Sequence, residues 1–205
     1  MPSSHAALKK IAIVTCSTRR PRANPFISAY VLATLKAAHS NVALSLLDIE
    51  DQGLPFFDEP DFSASFPPEN PTPHYTHAHT RAWSTKIKGF DAFIFVTPEY
   101  NSSIPAPLKN AIDFLYYEWK DKPIAVVSYG ARGGIMAASH LRDILGSLKM
   151  SLVETSVPLT IHAQTLSHDA TAQQSVPKDV VKTWKEAGKE EEIKKVLHEI
   201  VQKLK

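Results

Sequence analysis

The segment DAFIFVT, residues 91–97, is apolar at every position from Ala92 to Val96. Successive side chains of an extended strand point to opposite faces. A strand with no polar face must be covered on both sides, as in a parallel sheet flanked by helices. Comparable runs recur at KKIAIVT (a strand over about Lys10–Thr15), VALSLLDIE (42–50), KPIAVVSYG (122–130) and SLVETSVPLTI (151–161). Helical patterns lie between them. NPFISAYVLATLKAAH places Phe26, Tyr30, Ala33, Leu35 and Ala37 near helical spacing, with Asn24 as the N-cap ahead of Pro25. HYTHAHTRAWSTKIKGF sets Trp83 and Ile87 four apart. APLKNAIDFLYYEW turns Leu108, Ile112, Leu115 and Tyr116 to one side, and GGIMAASHLRDILGSLKM does so with Met136, Leu141, Ile144, Leu145 and Leu148.

Strand and helix alternate five times, which predicts an α/β chain with right-handed crossovers. From about 178 to 205, Ile193, Val196, Leu197, Ile200, Val201 and Leu204 form one stripe among Lys and Glu. This predicts a C-terminal amphipathic helix packed on the sheet or on a partner subunit. No linker divides the chain, so residues 1–205 read as a single domain. Residues 51–73 hold six of the fifteen prolines, and a loop this long is usually functional or mobile.

A net charge of +2 excludes the concentrated basic face of a nucleic-acid binder. No run of 18 apolar residues is present to span a membrane. One cysteine, Cys16, permits no internal disulfide and suits a reducing, cytoplasmic setting; MPSSHAALKK does not read as a signal peptide.

Ligands of open parallel sheets sit beyond the carboxyl ends of the strands. Three loops there carry chemistry. TCSTRRPRANPF (15–26) joins hydroxyls, Arg19, Arg20 and Arg22 to a helix N-terminus, a combination suited to a phosphate. It is neither a Walker loop nor a G-x-G-x-x-G turn. TPEYN (97–101) offers Pro98, the aromatic face of Tyr100 and backbone N–H groups at 99–101 for a flat heteroaromatic ring. SYGARGGIM (128–136) concentrates three of the seven glycines, Gly130, Gly133 and Gly134, favouring close approach to a ligand. A phosphate loop, a ring loop and a glycine loop on one sheet edge describe a mononucleotide site, and FMN suits it best.

These motifs resemble the NADPH-dependent FMN reductase family of flavodoxin-like quinone and azo-dye reductases. The family's G-S-x-R, with Asn five residues after the Arg, is matched by Ser17, Arg19 and Asn24, and Cys16 stands where that glycine usually is. The family's T-P-E-Y-N-x-S-x-P-x-x-L-K-N-A-I-D is matched from Thr97 to Asp113, and its S-x-G-x-x-G-G by Ser128, Gly130, Gly133 and Gly134. The resemblance covers about residues 10–160. It implies a flavodoxin-like three-layer α/β/α fold with a five-stranded parallel sheet of order 2-1-3-4-5. It places the FMN phosphate on Ser17, Arg19, Asn24, Pro25 and Phe26. The flavin ring would lie between Pro98, Glu99, Tyr100 and Asn101 on one side and Ser128, Tyr129, Gly130 and Gly133 on the other. The implied reaction is hydride transfer from NADPH or NADH to the flavin and on to a quinone, a flavin or an azo compound. The flavin carries that chemistry, so no protein acid–base catalyst is named, and Glu99 reads as a turn cap.

The resemblance also implies a homodimer or homotetramer, with Phe114, Tyr116, Tyr117 and Trp119 as a possible interface. A non-catalytic flavin-binding electron carrier or redox-sensing regulator is the competing expectation, although such carriers are usually strongly acidic. A response-regulator-like phosphate domain would need carboxylates where Thr15, Cys16, Thr97 and Pro98 stand. His74 and His77 have metal-ligand spacing without partners to complete a site, so no metal is expected. The basic RRPRA segment suits a nicotinamide 2′-phosphate or solvent, and His162 and His168 follow the last strand on the side where a nicotinamide would lie.

Overall fold

The computed structural model describes residues 7–38, 41–162, 165 and 174–205. His168 lies outside them. In chain order the elements are β1 (Lys9–Thr15), α1 (Asn24–Lys36), β2 (Val42–Asp48), α2 (Ala78–Lys88), β3 (Ala92–Pro98), α3 (Ala106–Asp113), β4 (Pro123–Gly130), α4 (Ile135–Ser147), β5 (Ser151–Thr160), α5 (Lys178–Glu186) and α6 (Lys189–Lys203). All five strands are parallel, in the order β2-β1-β3-β4-β5. This is the expected flavodoxin-like three-layer α/β/α arrangement.

The apolar run in β3 behaves as its composition requires. Phe93 and Phe95 face one core, with Trp83, Ile87, Leu108, Ile112, Leu141 and Leu145 of α2, α3 and α4. Ala92, Ile94 and Val96 face the other, with Ile27, Val31, Trp184, Ile193, Val196 and Ile200 of α1, α5 and α6. The two-residue period of the strand and the 3.6-residue period of the helices meet on both sides of one sheet.

Four helical expectations are corrected. The fourth strand's following helix begins at Ile135, and Met136 in its first turn is 47% exposed rather than inward. The C-terminal segment is two helices, α5 and α6, because Gly188 takes a left-handed conformation (φ 72°) between them. The helix predicted from Ala106 to Trp119 ends at Asp113. Two indoles meet its terminal carbonyls: Trp83 Nε1 donates to Ala111 O (2.8 Å) and Trp119 Nε1 to Ile112 O (3.2 Å). These supply partners that a helix C-terminus lacks. The helix predicted from His74 begins at Ala78, since the preceding Thr72–His74 forms a separate 3-10 turn.

The aromatic group proposed as an interface is also divided. Phe114 and Trp119 are fully buried within this chain, Trp119 against Trp83, Phe93 and Phe95. Tyr117 gives its hydroxyl to Ala64 O (2.8 Å).

The proline-rich segment is tied down along its length. Asn110 donates to Pro55 O (2.7 Å) and accepts from Phe57 N–H (2.8 Å). Tyr75 and Ser84 both donate to the buried Glu118 carboxylate. Burial pushes the Glu59 carboxyl up, but hydrogen bonds from the His77 and Thr76 N–H groups (3.0 and 2.8 Å) help to outweigh it, and Glu59 lies below its ordinary range. The stability this carboxylate contributes is therefore complete above the unfolded carboxylate range. It is lost as pH falls through the lowered folded value.

The glycine loop ahead of α4 is sterically closed. A Cβ on Gly134, at φ 69°, would lie 2.8 Å from both the N and the O of Tyr129. A Cβ on Gly188, at φ 72°, would meet nothing within 4 Å. Gly188→Ala is expected to cost about 1 kcal/mol, the left-handed penalty alone. Gly134→Ala should cost more than about 2 kcal/mol, since the clash is added to that penalty. Urea unfolding of the two variants checks this, and equal losses would refute the packing account.

Candidate functional site

The loops after β1, β3 and β4 converge at the carboxyl edge of the sheet. The order reverses between β1 and β3, so this is the topological switch point. A narrow cleft of ≈ 50 Å³ lies there, bordered by Arg19, Arg22, Pro98, Glu99, Tyr100 and Gly130 among others. A larger recess of ≈ 410 Å³ lies between the segment after β2 and the start of α3, with Thr18, Ile49, Glu50, Leu54, Phe56 and Asn110 in its walls. The three motif loops meet at the smaller cleft, so its chemistry, not its volume, marks it as the candidate site. The recess was missed in the sequence. Its only signal was the unusual proline content of the segment that forms one wall.

Asn24 shapes the first loop from inside. It is fully buried at the start of α1. Its Oδ1 accepts from Ser17 N–H (2.7 Å) and its Nδ2 donates to Val96 O in β3 (3.0 Å). The helix N-cap is Ala23, with no side-chain cap bond, so Asn24 does not cap α1 as expected. Both ends of its amide are taken within the protein.

Other expected ligands of this loop are also occupied. Pro25 has no N–H, and the Phe26 N–H donates to Ala23 O (3.0 Å). The Phe26 side chain packs on the α1 core. Ser17 is fully buried, with its hydroxyl 2.7 Å from the Tyr100 hydroxyl.

The three arginines are not equivalent. Arg22 forms a two-pronged pair with Asp48 (2.9 and 2.6 Å) and reaches Glu50 (2.6 Å) and Ser17 O (2.6 Å). Burial would lower its pKa, but Asp48 and Glu50 raise it, so it stays charged. Arg20 pairs with Glu50 (2.9 Å) at the surface. Arg19 is exposed and has no carboxylate partner among the described residues.

The second loop is a two-residue hairpin. Tyr100 and Ser103 exchange backbone hydrogen bonds (2.9 and 3.0 Å) around Asn101 (φ 48°) and Ser102 (φ 61°). Two left-handed central residues are the type I′ geometry, which Asn tolerates well. The Glu99 N–H donates to Tyr129 O (3.1 Å), so two of the three backbone donors expected to face the cleft, those of Glu99 and Tyr100, bond within the chain. The Glu99 carboxylate accepts from Met136 N–H (3.0 Å) and Ala137 N–H (3.4 Å). It is a cap, as expected, but of the N-terminus of α4 rather than of its own turn. A carboxylate suits that position.

In the third loop, Ser128 is buried and donates to Gly133 O (2.7 Å). A Cβ on Gly133 would lie 2.6 Å from Pro158 Cβ, so this glycine serves packing on β5. Tyr129 is buried, and burial pushes its phenol well above the ordinary range. Cys16 is fully buried, and burial raises its thiol well above the ordinary range, as in a buried structural cysteine. His77 and His79 stack at 5.1 Å beside Asp58, and no group able to hold a metal occurs among the described residues.

With this geometry in view, the comparisons are decisive about kinship. Residues 9–164 match the family model described as NADPH-dependent FMN reductase. The chain belongs to the NADPH-dependent FMN reductase family. It is 37% identical over 200 residues to an NAD(P)H-dependent FMN reductase of Nectria sp, covering 97% of this chain and 98% of that protein. It is 36% identical over 151 residues to a 2-hydroxy-1,4-benzoquinone reductase of Burkholderia sp, covering 70% and 74%. Among solved structures it superposes on the flavoenzyme NAD(P)H:(acceptor) oxidoreductase FerB of Paracoccus denitrificans with a TM-score of 0.65 at 20% identity, covering 94% and 99%. That last likeness concerns the fold.

The amide of Asn24 gives the site its clearest structural test. Asn24→Ala leaves the buried Ser17 N–H without its partner and takes from the Val96 carbonyl one of its two donors, the other being the Cys16 N–H (3.3 Å). The expected loss is about 2–3 kcal/mol in chemical denaturation. A loss below about 0.5 kcal/mol would show that the loop does not rely on this bridge.

Proposed function

We propose that this chain is an NAD(P)H-dependent flavin oxidoreductase that binds FMN at the cleft and reduces a quinone, a flavin or an azo-type acceptor. One observation carries the reading: three motif loops meet at the switch point, where Arg19 has no carboxylate partner among the described residues. The residues present fit a mononucleotide. Arg19 supplies the free cation for a phosphate, the β3 hairpin and the glycine loop supply two backbone walls, and Pro98 and Tyr100 supply apolar surface. When bound, FMN supplies the hydride-transfer chemistry between NAD(P)H and the acceptor. The chain's own part is to hold the anion, orient the ring and keep Glu99 turned away onto α4.

We also propose a homodimer or homotetramer, a reading that the size of the cleft supports. A small-molecule site usually covers most of its ligand, and a cleft of ≈ 50 Å³ encloses little of a flavin. At the start of α4, where Glu99 is bound, the chain exposes Ile135 (52%) and Met136 (47%), and Phe56 is exposed (87%) on the wall of the larger recess. Phe56 also flanks a groove that runs between α3 and α4 past Ile104, His140 and Ile144. A second copy placed on this face would cover the apolar side chains and close the site. No helix among the described residues is long and apolar enough to cross a membrane. The lone buried thiol suits a reducing cytoplasm.

Absorbance of the purified protein with added FMN, followed by anaerobic NADPH and NADH, tests the activity. Bound-flavin bands that bleach on adding either nucleotide are expected. Flavin that binds but does not bleach would favour a carrier or regulator, and no binding would remove the flavin reading. Light scattering after gel filtration should give a dimer mass or a multiple of it, and Met136→Glu should shift the population toward monomer. A wild-type monomer at micromolar concentration would rule the dimer out.

A further inference from the structure

Ser17 and Tyr100 form a hydroxyl pair whose protons can be placed from burial. The two oxygens are 2.7 Å apart, and distance alone allows either to be the donor. The Arg19 N–H points at the same Ser17 oxygen at 3.3 Å. Ser17 is fully buried, whereas Tyr100 is half-buried and borders the cleft. A hydroxyl has one proton and two lone pairs. If Tyr100 donated to Ser17, the serine proton would be enclosed without an acceptor, which is costly. If Ser17 donates to Tyr100, its proton is bonded and its oxygen still accepts from Arg19. The one unused proton then sits on the phenol, at the cleft wall. This second arrangement leaves no buried group unmatched.

We propose that Tyr100 is the hydroxyl that donates to the phosphate end of the mononucleotide, and that Ser17 is a positioning residue behind it. The inference rests on the flavin reading above and replaces Ser17 as the expected contact. The charges around the cleft agree with it. Arg19 is exposed and without a carboxylate among the described residues, Arg22 is held by Asp48 and Glu50, and the Glu99 carboxylate is engaged by α4. The ligand therefore meets a phenol donor beside an unpaired guanidinium, a pairing suited to a phosphate monoester.

Flavin fluorescence quenching on the flavin-free protein gives dissociation constants for FMN and riboflavin, which differ only by the phosphate. The wild type is expected to prefer FMN. Tyr100→Phe keeps the ring and removes the proton, so FMN affinity should fall roughly tenfold with riboflavin nearly unchanged. Ser17→Ala should reduce the preference on its own and add nothing in the Tyr100→Phe background. An unchanged preference in Tyr100→Phe overturns the proposal, as does a Ser17→Ala effect that multiplies on top of it. A wild type that binds both flavins equally overturns this proposal alone; one that binds neither overturns the flavin reading as well. Tyr100→Phe requires a folding check by circular dichroism. Isotope-labelled tyrosine in the wild type gives a readout free of that concern: a phenol-carbon resonance should move with FMN and not with riboflavin, and equal movement with both would sink the idea.

Discussion

The cleft depends on how the end of β1 is fastened to the end of β3. Parallel pairing brings Thr15 beside Val96, and the Cys16 N–H makes a last backbone bond to Val96 O (3.3 Å) as the chain leaves β1. The buried amide of Asn24 takes over, joining Ser17 N–H to Val96 O. An amide can do this because it carries a donor and an acceptor on one small planar group. A carboxylate would lack the donor, and a hydroxyl would not span the gap. With the turn held, Arg22 is drawn onto Asp48 at the end of β2, and the loop leaving β1 is linked to the ends of both neighbouring strands, β2 and β3.

A second fastening joins the β3 and β4 loops. Glu99 crosses to the N-terminus of α4, whose orphan N–H groups want an acceptor. Its own N–H bonds to Tyr129 O, and Gly134 lies against the same stretch of backbone. The two loops that would sandwich a ring are therefore set at a fixed separation by polar groups at their bases. Their exposed tips remain for the ligand. This division explains how so many motif residues face inward. A motif records what a site needs to exist as well as what touches the ligand.

Several residues carry a structural task that no local pattern shows. Asn24, Ser17 and Ser128 read as ligands because short polar side chains near a phosphate loop usually are. Each also meets a buried backbone or hydroxyl group of the chain itself. Arg19, Arg20 and Arg22 are chemically alike on paper, yet among the described residues only Arg19 lacks a carboxylate partner, because Asp48 at the end of β2 and Glu50 just after it take the other two. Periodicity likewise overran the ends of α3 and joined α5 to α6. It measures the spacing of apolar groups and is blind to a left-handed glycine or to two indoles taking the last carbonyls of a helix.

The sequence by itself determined the layers and the place of the site. Unbroken apolar strands alternating with amphipathic helices admit a parallel sheet covered on both faces, and such a sheet binds ligands at its carboxyl edge. These follow from local periodicity, which is written in neighbouring residues. The tertiary structure alone decided which members of each motif face the cleft. It also decided that the proline-rich segment is bound along its length, and that the two cores split the aromatic residues between them. Those outcomes rest on pairings between residues distant in the chain. Hydrogen-bond partners across such distances are chosen by packing, and no spacing rule within a single loop contains that choice.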